Sequence, residues 1–511
     1  MPRWLPPLLW TLYLGVLSVI VFGLRSIGNM NVETDFYWTY VPVAKALLAG
    51  TLILDPFRGP GYELMLALFQ VLSGEFFRAG LILSVLSASA SLLLLYSVIR
   101  KTFDGETALL VAIGTALNPA FFGLSYTAGT DMFYVMLGLS VLFLIVHSAS
   151  GRRWMLLGAG LLAGYTYLTR YNGIAVVVAA SASILWLCDP VLPWRKRIGS
   201  ILLFLGGAAV TLIPFGLYTH HETGRFVYNN NFLNVAYEIY AKGEIRWDDY
   251  WNVIAPHFHS YTDVVAYDPW RFLRHVGWNV ISHGWMDLSL LVSWPIGVGA
   301  AAGALLMLRR ELTRLQAVVL LFAALSFLVL VPVFYTERFS LFLVPFVVLF
   351  FVRFLQWRNI PRVPDRWARY ASRSIALMVV IWTGFQCVTV ARLDVAMEPL
   401  EILQVRDAFA GLAGDAPRGT AISARKPHIA YYLALDYAPF PYVPSEAGLV
   451  DALRQARVDY VYISTYEVAT RPGLEGLLDS HKVHPGLRPL ISVLNPRSVL
   501  YRVIQDAPAS P

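Results

Sequence analysis

Apolar runs dominate the hydrophobic pattern of the chain. Beginning with Trp4 to Leu24, stretches free or nearly free of charge recur near residues 79–99, 108–127, 132–146, 154–168, 173–188, 198–219, 288–308, 315–335, 339–352 and 374–391. A hydrocarbon core about 30 Å thick asks for roughly 20 helical residues, so the shorter runs need flanking polar residues to complete a crossing. Together the runs predict a mainly α, polytopic membrane protein with about eleven transmembrane helices. The first run follows a single Arg3 and has no small-residue cleavage pattern behind it, which reads as an uncleaved first span.

Between the runs the polar segments are unequal. Residues 25–78 and 220–287 are long, whereas most other connections are short. Within the first, "FYWTYVPVAKALLAG" places Phe36, Tyr40, Val43 and Leu47 at helical spacing, so this piece is expected to lie on the membrane surface. Pro42 either starts the regular part of that helix or kinks it. "GYELMLALFQVLSG", with 14 residues and Glu63, reads as a second interfacial helix. After residue 391 the pattern changes again. Strand-like "GTAISAR", "DYVYIST" and "SVLYRVI" are separated by helix-like "IAYYLALDY" and "EAGLVDALRQAR". The chain thus divides into a transmembrane domain, 1–391, and a small α/β domain, 392–511.

Composition supports the membrane reading: 57% of residues are hydrophobic and only 14% charged, against about 25% in soluble proteins. Charge then sets orientation. Alternate short loops hold Arg100 and Lys101; Arg152 and Arg153; Arg195, Lys196 and Arg197; Arg309, Arg310 and Arg314; and the run from Arg353 to Arg373. The opposite short loops hold only Arg170 and Arg338. By the positive-inside rule the basic loops and the N-terminus are cytoplasmic, and loops 25–78 and 220–287 and the C-terminal domain are extracytoplasmic. The net charge of +7 is then explained without nucleic acid. Cys188 and Cys387 fall toward opposite faces of the bilayer, beyond disulfide reach. No metal-type Cys or His spacing occurs; His220 and His221, adjacent at a span end, read as interfacial.

The candidate chemistry lies on the outer side. Asp35, hemmed by Phe36, Tyr37 and Trp38 at the lipid–water boundary, has the setting of a tuned general base, and equally that of a helix N-cap. Asp131, in "GTDMFYVML", opens a span on the same side, where an acid also complements the helix dipole. Arg170 and Arg338 stand against the topological trend, which a phosphate ligand or a salt bridge would each explain. Arg58, in the turn "DPFRGPGYE", is a third candidate for phosphate. The polar and aromatic segment 220–252 suits either sugar stacking or ordinary loop packing.

The ordered set "AKALLAG", "RGPGYELMLALF", "GTDMFYVML", "LLAGYTYLTRYNGI" and "ERFSLFLVPFVVL", behind an Asp that follows the first span, resembles the C-type superfamily of membrane glycosyltransferases (GT-C) over roughly residues 1–350. The nearer likeness is to bacterial relatives of the protein O-mannosyltransferases and aminoarabinose transferases. This resemblance implies an inverting transferase in the bacterial inner membrane. It would move a sugar from a polyprenyl-phosphate carrier to a lipid, glycan or protein acceptor on the outer face. Asp35 would be the catalytic base, Asp131 a positioning acid, and Arg58, Arg170 and Arg338 donor-phosphate residues; Glu33, Tyr37, Tyr62, Tyr171 and Asn172 would line the substrate. Family members often carry an acidic pair in this loop, whereas here Phe36 follows Asp35 and the second acid, Glu33, precedes it by two. No cofactor or metal site is assigned, although a divalent cation is compatible with such chemistry. Two other classes share the pattern: a transporter or flippase of lipid-linked sugars, and a membrane scaffold whose α/β domain binds a partner.

Overall fold

The computed structural model of the protein describes residues 4–148, 152–187, 194–309, 311–357, 364–413 and 419–505. Cys188 lies outside the described residues; Cys387 is buried with its thiol 3.3 Å from the Leu117 carbonyl. The chain divides into two compact units, one of Met1–Gly23 with Val43–Arg392, the other of Leu24–Pro42 with Leu393–Pro511.

Six helices among the described residues are long and apolar enough to cross a membrane: Leu5–Leu24, Phe76–Thr102, Thr130–Ser148, Ile198–Thr223, Glu337–Leu355 and Arg366–Leu412. Other apolar runs form shorter helices because local chemistry interrupts them. In the run 108–127, the helix Gly105–Ala116 stops and Asn118, its side chain accepting from Phe121 N, caps a new helix that begins at Pro119. The run 288–308 opens with a π-helical turn, Asp287–Leu291, and breaks at Ser293 (φ 69°) before Trp294–Leu308. Helices approach closely where glycines remove side chains. A Cβ on Gly160 would stand 1.9 Å from the Phe204 carbonyl oxygen, and one on Gly207 2.3 Å from that of Leu157, so Trp154–Thr169 and Trp194–Thr223 meet backbone to backbone.

The long loop 220–287 contains four α-helices, Phe232–Tyr240, Trp247–Val253, Tyr261–Tyr267 and Pro269–Met286, and the 3-10 turn Ala255–His257. They enclose a core of their own that includes Phe232, Val235, Ile239, Tyr240, Tyr250 and Phe258. Much of the aromatic content of segment 220–252 is therefore used in packing; Tyr237, for example, stands edge-on to Trp247 and Tyr250.

In the second unit, β1 (Ala421–Ala424), β2 (Asp436–Pro439), β3 (Tyr460–Ser464), β4 (Leu487–Leu494) and β5 (Arg497–Val503) form one sheet in the order β2-β1-β3-β5-β4. β1 runs parallel to β2 and β3, whereas β5 is antiparallel to β3 and β4. Period-2 alternation fills two cores: Tyr462 and Leu500 face one, and Val461, Ile463 and Tyr501 the other. The expected strands at 421–424, 460–464 and 497–503 are present. The expected helix "IAYYLALDY" is shorter, because Ala434 adopts a left-handed conformation (φ 54°) after His428–Leu433 and the chain continues as β2. Ile27 and Met30, from the first loop, complete the core that contains Ile402, Val405 and Ile429, which is why residues 24–42 belong to this unit.

Candidate active site

A buried cluster of charge in the first unit is built by three separate elements. Asp131 sits in the first turn of Thr130–Ser148, its side chain only 3% exposed. Arg170 caps the C-terminus of Trp154–Thr169 in an extended conformation that turns the chain into the 3-10 turn Tyr171–Gly173. Arg338 lies in the short helix Glu337–Ser340, started by Thr336, whose hydroxyl accepts from Arg338 N. Arg170 Nη2 reaches Asp131 Oδ1 at 2.9 Å, while Arg338 Nη2 and Nε reach Oδ2 at 3.0 and 3.2 Å. Arg338 thus turns to Asp131, the salt bridge that the sequence allowed as an alternative to a phosphate ligand. Arg170 also donates to the Arg338 carbonyl at 3.4 Å and stacks over Phe339, 5.5 Å from the ring centre. One buried carboxylate therefore holds two guanidiniums side by side with one positive charge in excess, an arrangement suited to a phosphate.

The Arg58 turn abuts the same stretch of chain. Asp55 organises it, accepting from Phe57 N at 2.7 Å and pairing with Arg58 Nε at 3.2 Å. The glycines are required by contact: a Cβ on Gly59 would stand 2.6 Å from the Leu168 carbonyl oxygen, and one on Gly61 2.7 Å from Thr169 Oγ1. Tyr165 fastens the turn by donating to the Gly61 carbonyl at 2.6 Å. Glu63, in the expected interfacial helix, is 1% exposed, and neither carboxyl oxygen has a hydrogen-bond partner among the described residues. Tyr62 is fully buried against Phe133 (ring centres 6.3 Å apart), Tyr171 donates to the Tyr228 carbonyl at 3.0 Å, and Asn172 Oδ1 is buried without a hydrogen-bond partner among the described residues.

Asp35 belongs to the second unit. It begins a helix whose first turn, Phe36–Tyr40, is π-helical and continues as Val41–Leu48, so Pro42 falls inside the helix behind a widened turn. The Asp35 side chain makes no capping hydrogen bond to this π-helical turn. Thr34 and Tyr37, on either side of Asp35, meet the C-terminal domain. Lys426 Nζ donates to Thr34 Oγ1 at 2.8 Å. Burial holds the Lys426 ammonium below the usual lysine range and Arg425 adds to this, while Asp35 and Glu467 oppose it. Tyr37 packs against His428, Tyr431 and Tyr432, with its hydroxyl 3.1 Å from that of Tyr432. Burial pushes His428 down to about 3.

Glu33 is fully buried and pairs with Arg25 Nη2 at 2.6 Å; Arg25 Nε in turn meets Glu398 Oε1 at 2.7 Å. This clamp was invisible in the sequence, as were Lys426 and Asp287, a buried carboxylate beside Tyr335 and Ser340. Of the clamp, Glu33 was singled out only as a substrate-lining acid, and Arg25 left a trace as a cation directly behind the first span. His221 pairs with exposed Glu222, and among the described residues no three His, Cys, Asp or Glu side chains converge on a metal position.

Residues 57–218 match the family of dolichyl-phosphate-mannose-protein mannosyltransferases. None of the curated proteins matches the chain by sequence. Among solved structures, 98% of the chain superposes on 98% of ArnT from Cupriavidus metallidurans bound to undecaprenyl phosphate, with TM-score 0.55 and 12% identity. Ninety per cent of it superposes on 69% of an Archaeoglobus fulgidus oligosaccharyltransferase tethered with an acceptor peptide, with TM-score 0.58 and 13% identity. A complex of the Archaeoglobus oligosaccharyltransferase AglB with an inhibitory peptide and a dolichol-phosphate gives TM-score 0.55 at 12% identity, over 93% of this chain and 72% of that one. The chain is a multi-pass membrane protein with an ArnT-like fold.

Proposed function

We propose that the protein is an inverting glycosyltransferase that takes a sugar from a polyprenyl-phosphate donor and passes it to an acceptor at the extracytoplasmic face of a bacterial inner membrane. The observation that carries this reading is the Asp131 carboxylate bridging Arg170 and Arg338. A lone guanidinium pair at low exposure would repel; the shared aspartate removes one charge and leaves the pair attractive to a phosphate. A transporter would place its polar groups near the bilayer midplane, whereas Asp131, Arg170 and Arg338 all occupy helix ends.

In this mechanism Asp35 accepts the proton of the acceptor hydroxyl as that oxygen attacks the anomeric carbon. The C1–O bond to the carrier phosphate breaks, and the departing lipid phosphate stays with Arg170 and Arg338, with Arg58 as a further cation. One displacement inverts the anomeric centre. Asp131 acts as a positioning residue, and Glu33, paired with Arg25, as a structural one. Tyr171 and Asn172, next to Arg170, are the nearest candidates for contact with the sugar or its carrier.

The test uses purified full-length protein with labelled polyprenyl-phosphate sugars. Asp35→Asn should lower transfer by about 10² to 10⁴-fold while binding undecaprenyl phosphate as the unaltered protein does, followed by native mass spectrometry. Undiminished transfer by the Asn variant would remove Asp35 from the mechanism. Failure of the unaltered protein to bind any polyprenyl phosphate would remove the donor class as well.

A further inference from the structure

Helix Pro269–Met286 has an outward face that the transferase reading leaves unused. Trp270, Leu273, Trp278, Ile281 and Trp285 lie on it and are each 59% to 75% exposed. Asn279 and His283, on the opposite face, are buried. Three exposed tryptophans on one helix face, followed by the apolar helix Trp294–Leu308, are the arrangement of an aromatic belt at a lipid–water boundary.

Beside this face opens a cleft of about 550 Å³ whose cationic wall is Lys242, Arg271 and Arg274, with His275 and Trp278 also lining it. The acids within reach do not balance it. Glu238, buried, accepts from Lys242 Nζ at 2.7 Å and stands 3.2 Å from His275 Nε2; Glu244 pairs with Arg271 Nη2 at 2.8 Å on the exposed rim. Arg274 is exposed and has no partner among the described residues. Three permanent cations thus face two carboxylates, and the rim pair Arg271–Glu244, being solvent-exposed, costs little to open.

We infer that this cleft binds the phosphodiester headgroup of an anionic glycerophospholipid of the surrounding bilayer. Arg274 and Arg271 meet the phosphate, and the acyl chains lie along Trp278 and the outward face of the helix. Charge complementarity selects the anion, and the adjoining aromatic face selects a lipid over a free phosphate, which would gain nothing from it.

The experiment uses the full chain in nanodiscs of phosphatidylcholine with added phosphatidylglycerol, with retained lipids counted by native mass spectrometry. Phosphatidylglycerol should be retained over phosphatidylcholine. Arg274→Gln should weaken that retention about fivefold, as expected for loss of about 1 kcal/mol per interfacial cation. Arg225→Gln, an exposed position elsewhere, should leave it unchanged. Equal retention by the Arg274 variant would overturn the site, and displacement of the lipid by equimolar inorganic phosphate would overturn the lipid assignment. As a measurement independent of any variant, phosphatidylglycerol should slow amide exchange in Pro269–Met286 of the unaltered protein; no slowing would count against the proposal.

Discussion

Lys426 Nζ donates a 2.8 Å hydrogen bond to Thr34 Oγ1, and Thr34 immediately precedes Asp35. A lysine of the C-terminal domain therefore fixes the first turn of the helix that bears the proposed base. Lys426→Met should reduce turnover about tenfold, the loss of roughly one charge-assisted hydrogen bond, while undecaprenyl phosphate binding stays unchanged. Single-turnover transfer beside native mass spectrometry separates the two. A fall in binding with turnover preserved would contradict a positioning role.

Asp131, Arg170 and Arg338 act as one unit, so their substitutions should not add. Asp131→Asn and Arg338→Gln should each raise the apparent KM for the donor. The double variant should lose less than the product of the two effects, because the neutral Asn no longer leaves a buried charge for the missing arginine to compensate. Multiplicative losses in a double-mutant cycle would mean that the two side chains work separately.

Gly59→Ala tests the Arg58 turn. A methyl group 2.6 Å from the Leu168 carbonyl oxygen cannot be absorbed by a flexible side chain, since the obstacle is backbone. The turn should shift away from residues 168–170 and raise the donor KM by about an order of magnitude, consistent with about 1–3 kcal/mol for overpacking, with kcat less affected. Steady-state kinetics with varied donor provides the check, and unchanged KM would separate the turn from the donor.

The Arg25 clamp predicts a stability effect. Arg25→Met strands Glu33 and Glu398, whose side chains are 0% and 2% exposed, and should cost about 3–5 kcal/mol. Adding Glu33→Gln and Glu398→Gln should restore most of the loss, since no buried charge would then be uncompensated. Chemical unfolding of the full chain in detergent measures both, and an unaffected single variant would show that the clamp contributes nothing.

His428 sets a pH dependence. Its folded value of about 3 lies below the ordinary 6.5, so between these limits the unfolded chain binds a proton that the folded chain does not. The resulting stability is fully present above pH 6.5 and falls as the pH drops toward 3, by about 2 kcal/mol at pH 5. Amide exchange across 428–433 at pH 7 and pH 5 should show the weakening, and His428→Gln should flatten it. An identical pH response in both proteins would exclude this histidine as the cause.

What could be read in the sequence was whatever a short window encodes. The apolar run 79–99 became Phe76–Thr102, the run 132–146 became Thr130–Ser148, and "DYVYIST" became β3, because hydrophobic period and length suffice for each. Pairings between distant residues were beyond any window. Arg25 meets Glu398 across 373 positions and Arg338 meets Asp131 across 207. The acids and arginines were recognised as unusual, but nothing in a linear pattern says which carboxylate answers which guanidinium. β2 was missed for another reason: four residues behind a left-handed Ala434 look like the tail of the preceding helix.

The segment 24–42 shares a core with residues 393–511 although about 350 residues separate them in the chain. Evolution and protein engineering therefore cannot exchange the C-terminal domain as a simple tail. A graft that begins at residue 393 leaves behind Ile27, Met30 and Arg25, opens the apolar face around Ile402 and Ile429, and deprives Glu398 of its cation. Any successful hybrid between relatives must transplant both pieces together, and the loop that bears Asp35 is inherited with the domain that steadies it.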